Sequence, residues 1–216
     1  MSVNAKDIIN KMESIAPKEI CCSWDNVGVM VGDSGKEVKK VLIALDCSAD
    51  IIDEAVNMGA DMIITHHPFI FKAVKNLDYK NPLSRKIAKV IKNDILVYSA
   101  HTNLDIADHG TNYTLAELLE LEDTEGLVPM GEGNFMGRAG RLKNEMAFCD
   151  FIDFVKKKLG AERLAVNGDM DTIIKKVGLC TGAGADYEFL ARAKELGCDA
   201  YVTGDVGYHD AQSAED

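Results

Sequence analysis

The chain repeats itself, and the repeat dictates an α/β sheet. The run Val41-Leu-Ile-Ala-Leu-Asp46, a helical stretch over about 49–58 and Gly59-Ala-Asp-Met-Ile-Ile-Thr65 form one copy. They are echoed by Val177-Gly-Leu-Cys-Thr181, a helical stretch over about 186–195 and Gly197-Cys-Asp-Ala-Tyr-Val-Thr203. Gly59, Asp61 and Thr65 match Gly197, Asp199 and Thr203 at a constant offset. Each copy reads as strand, helix, strand, a unit with a right-handed crossover. A chain of 216 residues, 47% of them hydrophobic, can bury a proper core. Two copies therefore predict two related α/β halves, 1–125 and 126–216, layered α/β/α on mainly parallel sheets. An amphipathic helix opens the first half, with Ile8, Ile9, Met12 and Ile15 at helical spacing.

In a parallel sheet, ligands bind in the crevice beyond the carboxyl ends of the strands. Two apolar runs end there in metal-ligand residue types. Met62-Ile63-Ile64-Thr65 gives way to His66-His67, and a second run gives way to His101, Asn103 and Asp105. Adjacent histidines on a regular strand point to opposite faces, but Pro68 ends the strand and lets both imidazoles turn toward one cavity. Two histidines and a carboxylate suit a pair of ions about 3.5–4 Å apart, bridged by Asp105, an arrangement used for water activation and electrophile clamping. His101 or Asn103 then orients water or the ligands. The simpler alternative makes His-His-Pro a polar loop and the His101 segment a capped turn before a helix starting near Thr111.

The offset sets Gly204-Asp205 against His66-His67. If the halves face each other, Asp205 and His209 line the same cleft from the other side. Otherwise Asp205 caps a helix N-terminus and His209 is a surface or packing residue. Gly182-Ala-Gly184 is a tight turn, since no phosphate-loop Lys or third dinucleotide-binding Gly follows it. The glycine-rich stretch 131–140 reads as a loop opening the second half, with Arg138 a candidate anion contact. Trp24 most simply packs over the first half's core, and His109 is structural.

The formal charge of −11 argues against nucleic acid, whose affinity comes largely from Lys and Arg neutralising phosphates. Lys39-Lys40, Lys156-Lys157-Lys158 and Lys175-Lys176 are short and read as solvated edges. No apolar run approaches the roughly 20 residues that span a bilayer. The first residues lack the apolar core and cleavage site of a secretory signal. Six cysteines form no Cys-x-x-Cys pair, which points to a reduced, cytoplasmic protein. With 6% aromatic residues, no base-stacking set is visible beside the histidines.

The stretches WDNVG (24–28), ITHHPFIFK, AHTNLD and VTGDVGYHDAQ, in this order, resemble the NGG-one-interacting-factor-three-like family of dinuclear metal-centre proteins. Its bacterial members carry the name GTP cyclohydrolase I type 2 homolog. The resemblance implies that His66, His67 and Asp105 are metal ligands for two divalent ions (Fe, Zn, Mn or Ni). It favours pocket positions for Asp205 and His209, which with His101 make the candidate catalytic set, and a place near the cleft that gives Trp24 a substrate-side role as the alternative to core packing. It further implies ring-like homo-oligomers, usually hexamers, and a metal-dependent hydrolase acting on a small molecule, a nucleotide or phosphoester. The alternative is a non-catalytic metal scaffold or metallochaperone. Family members continue past the segment matched by Gly204, Asp205 and His209 into a Gly-His motif with a glutamate that complete the metal site. A chain ending at Asp216, inside an expected helix over 210–216, is thus expected to lack that segment and to bind metal more weakly than a longer form.

Overall fold

A computed structural model describes residues 2–214. The chain forms two compact units that divide between Ala107 and Asp108. The boundary lies ahead of residue 125 because the helix Thr111–Leu118 contributes Ala116 to the second core, where Leu119 joins it.

The first unit runs β1 (Val3–Asn4), α1 (Ala5–Ile15), β2 (Gly28–Val31), β3 (Glu37–Val38), β4 (Val41–Ala44), α2 (Ala49–Met58), β5 (Met62–Thr65), α3 (Pro82–Lys92), β6 (Leu96–Ser99) and α4 (Thr102–Ile106). Its main sheet has the order β2-β6-β5-β4. The three strands β4, β5 and β6 are parallel, and β2 joins β6 antiparallel. Alternation along the strands sends side chains to both faces. Ile63 and Val97 pack on Ile52 and Ala55 of α2 and Ile87 and Val90 of α3. Met62, Ile64, Leu96 and Tyr98 pack on Ala5 and Ile9 of α1. The unit is a three-layer α/β/α sandwich, and the sequence's amphipathic first helix is one of its outer layers. Local chemistry starts the helices: the Ser48 hydroxyl accepts the Ile51 N–H ahead of α2, and the Asn81 side chain accepts the Leu83 N–H ahead of α3, whose Pro82 needs no donor at that position.

The second unit runs α5 (Thr111–Leu118), β7 (Leu121–Gly131), β8 (Asn134–Ala147), α6 (Phe148–Leu159), β9 (Ile173–Cys180), α7 (Tyr187–Glu195), β10 (Ala200–Thr203) and α8 (Tyr208–Ser213). Its sheet, β10-β9-β8-β7, is parallel only between β9 and β10; the long hairpin β7–β8 pairs antiparallel. The expectation of mainly parallel sheets thus holds for the first unit and fails for the second. The stretch 131–140 is correspondingly the turn and first half of β8, not a loop. Its glycines serve close approach: a Cβ on Gly126 would fall on the Phe135 ring, and one on Gly137 would lie 2.6 Å from the Leu179 carbonyl oxygen. Helices α5 and α6 cover one face through Ala116, Phe151 and Val155, and α7 covers the other through Ala193. The expected helix over 210–216 is α8 in part, and residues 215–216 lie outside the described residues. Its N-cap is Gly207, so the capping alternative for Asp205 is not realised.

The repeat survives in atomic detail. Val41 pairs Met62 and Ala44 pairs Thr65, just as Val177 pairs Ala200 and Cys180 pairs Thr203. Gly59 and Gly197 end their helices in the left-handed region at φ 64° and 72°. The Ala60 N–H then reaches back to the Ala55 carbonyl, and that of Cys198 to Ala193. Each following aspartate brackets the first strand of its unit. Asp61 Oδ2 accepts the Lys39 and Lys40 N–H groups at 2.7 and 3.0 Å, and Asp199 Oδ2 accepts those of Lys175 and Lys176 at 2.9 Å each. The lysine pairs read as solvated edges thus supply backbone donors to a conserved bracket within the chain.

Asp61→Ala and Asp199→Ala are each expected to cost about 1–2 kcal/mol in urea unfolding, the worth of hydrogen bonds to a charged acceptor at a partly solvated site. The Lys39 N–H foremost, with that of Lys40 and nearby lysine charge, holds the Asp61 carboxyl below its ordinary value despite some desolvation. A depressed carboxyl stabilises fully above its unfolded pKa, and the contribution is lost as pH falls through the folded one. Asp61→Asn should therefore cost most near neutrality and least in acid. A cost independent of pH would refute this account.

Candidate metal centre

The sheet explains why distant residues meet. Thr65 lies opposite both Ala44 and Ser99, so β4, β5 and β6 end level at one edge, and Gly28, opposite Ser99, starts β2 there. The residues just beyond these ends are Asp46, His66 with His67, and His101; the loop leading into β2 carries Asp25. Below them Thr65 and Ser99, both buried, share a 2.8 Å hydroxyl contact, and Thr65 donates to the His67 carbonyl. These bonds fix the backbone as the strand gives way to Pro68.

The three imidazole centroids stand 5.1, 5.2 and 5.7 Å apart, and each histidine offers a ligand nitrogen within 4.8 Å of the others. Each ring is tethered by Nδ1. His66 Nδ1 lies 2.9 Å from the Ala100 carbonyl oxygen, His67 Nδ1 2.8 Å from Asp46 Oδ1, and His101 Nδ1 3.0 Å from Asp25 Oδ1. A carbonyl oxygen only accepts, and an ionised carboxylate likewise, so Nδ1 is the donor in each contact, and in a neutral ring Nε2 is then the nitrogen left to bind a ligand. This is the support that metal-binding histidines receive from outer groups. Burial above all, then the neighbouring imidazoles His101 and His67, holds His66 below its ordinary pKa against the opposing pull of Asp105, which favours the neutral ring a metal needs.

Asp105, buried on the one-turn helix α4, places Oδ1 3.6 Å from His66 Nε2. That is long for a hydrogen bond but close to the spacing of two donors on one ion with bonds of about 2.0–2.2 Å. The ligand atoms of the three histidines likewise all lie within 4.8 Å of one another, a group that could hold an ion. The donor chemistry fits divalent metal.

Three expectations, for Asn103, Trp24 and Arg138, need correcting here. Asn103 is fully buried and its amide is spent on structure, donating to the Ala16 carbonyl and accepting the His101 N–H, so it positions α4 and does not face a ligand. Trp24 does not pack over the core; it is 61% exposed, with its ring 6.2 Å from that of His101. His101 stands with His66 and His67 in the group that could hold an ion. Asp205 and His209 lie in the second unit, both exposed, after β10 and in α8. Arg138 is buried, with Nη1 donating to the Phe135 and Gly137 carbonyls, so its guanidinium already serves β8.

Sequence reasoning missed Asp25 and Asp46. The signal for Asp46 was its place at the end of a strand parallel to β5, and for Asp25 its place in the WDNVG stretch. The Asp25 side chain is fully buried and also accepts the Thr102 N–H and hydroxyl through Oδ2. Burial by itself raises this carboxyl, but the bonds from Thr102, His101 and Asn26 outweigh it and hold Asp25 below its ordinary value.

The Duf34/NIF3 (NGG1p interacting factor 3) family model matches residues 3–216. The chain belongs to this family. It is 42% identical over 207 residues to a Clostridium perfringens protein named GTP cyclohydrolase 1 type 2 homolog, covering 94% of this chain and 78% of that one. A Methanocaldococcus jannaschii protein of the same name is 35% identical over 215 residues, covering 99% and 84%. Among solved structures, a Bacillus cereus protein related to NIF3 superposes with a TM-score of 0.92 at 28% identity, covering 99% of this chain and 85% of that one. Reduced HcgD from Methanocaldococcus jannaschii gives 0.85 at 34% identity, covering 100% and 84%. The family assignment agrees with the mixed α/β architecture and with the motifs that carry the histidines. Among the described residues no helix is long and apolar enough to cross a membrane.

Proposed function

We propose that this NIF3-family chain holds two divalent ions on His66, His67, His101 and Asp105 and is a metal-dependent hydrolase acting on a nucleotide or phosphoester. The observation that supports the reading is the set of three Nδ1 tethers on histidines whose ligand nitrogens lie within 4.8 Å of one another at one sheet edge. The name shared by the relatives supports a nucleotide as the substrate class. Divalent metal at such a site supplies Lewis acidity toward an electrophilic carbon or phosphorus and lowers the pKa of water. The chain's own part is to hold the rings. Asp25 fixes His101 from a buried position, the Ala100 carbonyl fixes His66, and Asp46 fixes His67 at the open side. A cytoplasmic homo-oligomer, hexameric as in the family reading, belongs to the same proposal.

One feature favours metal storage or transfer instead: the His67 and Asp46 side chains are 45% and 60% exposed, which leaves that side of the site open to exchange. Metal analysis of the purified protein, with a turnover screen on GTP and generic phosphoesters after loading with Zn, Mn, Fe or Ni, separates the two. Stoichiometric metal with turnover lost on chelation supports the hydrolase. Stoichiometric metal without turnover supports the scaffold, and failure to load any ion overturns both. Chelation should also lower stability: at free metal about 100 times Kd the bound state gains about 2.7 kcal/mol, which EDTA removes and thermal melting reads.

A further inference from the structure

Trp24 and Phe71 stand exposed, at 61% and 46%, with Trp24 beside His101 of the histidine cluster. Their ring centroids are 6.0 Å apart with planes at 67°, and Trp24 meets His101 at 6.2 Å and 72°. The two rings make an open corner whose inner end is a metal-ligand imidazole. The corner is held rigidly from below. Trp24 adjoins Asp25, the buried carboxylate bonded to His101 and Thr102, and Asn26 next to it donates its amide to the Ile70 carbonyl, beside Phe71. The carboxylate that orients His101 is therefore Trp24's neighbour in the chain.

Exposed aromatics that are fixed by buried polar bonds contribute little to folding, and rings set at a steep angle present a face and an edge to a third flat ring. Trp24 stands 6.2 Å from His101, whose centroid is 5.2 and 5.7 Å from those of His66 and His67. The net charge of −11 disfavours recognition through phosphate at long range. From these observations we propose that Trp24 and Phe71 form the recognition corner for a planar nitrogen heteroaromatic ring, a nucleobase or its like, stacked so that its edge atoms face the histidine nitrogens. The proposal rests on the metal-site reading and names the part of the substrate that the site grips.

Trp24 is the single tryptophan, so its fluorescence reports the corner directly. Zn-loaded full-length protein is titrated with inosine, an uncharged purine nucleoside, and in parallel with ribose 5-phosphate, which carries phosphate and sugar but no base. Saturable quenching by inosine and none by ribose 5-phosphate is expected. By calorimetry, Trp24→Ala should weaken inosine binding roughly 5- to 150-fold, the worth of one base–aromatic stack. Phe71→Ala should weaken it less, and Trp24→Phe should retain most of it. Zinc content should be the same in all forms. Inosine binding unchanged in Trp24→Ala, or ribose 5-phosphate bound as tightly as inosine, overturns the proposal. So does Trp24 emission that changes with protein concentration but not with inosine, which would mark a self-association surface. Quenching by inosine in a protein that takes up no zinc keeps the corner and refutes the metal reading, whereas zinc uptake without inosine binding does the reverse.

Discussion

Replacing Asp25 by alanine is expected to weaken divalent-metal binding by roughly 10–100-fold, the usual cost of removing an outer-shell partner of a ligand histidine. The same change should destabilise the metal-free protein by about 3–5 kcal/mol, because it leaves buried donors without their charged acceptor. Both effects have one origin. The fully buried carboxylate holds His101 Nδ1 with one oxygen and the Thr102 N–H and hydroxyl with the other, so its loss frees the imidazole and loosens the start of α4, which carries Asp105. Asp25→Asn keeps an acceptor and most of the volume, but sets an amide against donors it cannot satisfy. Its stability should fall between wild type and Asp25→Ala. Competition against a chromophoric chelator measures the first effect, and urea unfolding in EDTA the second. Wild-type affinity in Asp25→Ala would show that His101 needs no support. Asp46→Ala is a useful contrast, since that carboxylate is exposed and its tether to His67 should matter less to stability.

How much of this was legible in the sequence follows from which interactions are local. The βαβ repeat was readable because each copy combines a strand-length apolar run, a glycine helix stop and an aspartate bracket within 30 residues or so, all set by nearest neighbours along the chain. The meeting of His66, His67 and His101 at one edge was readable because the ends of neighbouring parallel strands lie together, where such sheets bind ligands. Asp25 was not, because its meaning depends on β2 running antiparallel beside β6, a pairing across a long stretch of sequence. Core packing, the simpler of the two readings of Trp24, fails for the same reason: hydrophobicity alone assigns a tryptophan to a core, whereas its loop is attached through Asp25 to Thr102 and through Asn26 to Ile70 and leaves the ring exposed. The second sheet's antiparallel hairpin was hidden by its glycines, which signal turns in sequence but here make room for Phe135 and for the Leu179 carbonyl.

That reinterpretation of the glycines gives a prediction of comparable size. Gly137 sits at φ 76° inside β8, where a Cβ would lie 2.6 Å from the Leu179 carbonyl oxygen and 3.0 Å from the Leu127 side chain. Leu179 is on the neighbouring strand β9, opposite Arg138, so neither backbone can yield without breaking the ladder. Gly137→Ala should cost about 2–5 kcal/mol, combining left-handed backbone strain with overpacking. The strain can be measured separately at Gly131, in the same hairpin at φ 92° with open space around the added carbon. Gly131→Ala should cost only about 1–2 kcal/mol, the strain alone. Urea unfolding followed by circular dichroism compares the two. If Gly137→Ala proves no worse than Gly131→Ala, the close approach of β8 to β9 is not what requires glycine. A larger penalty at Gly137 would tie the glycine-rich segment to sheet packing, with Arg138 held beside it through the Gly137 and Phe135 carbonyls.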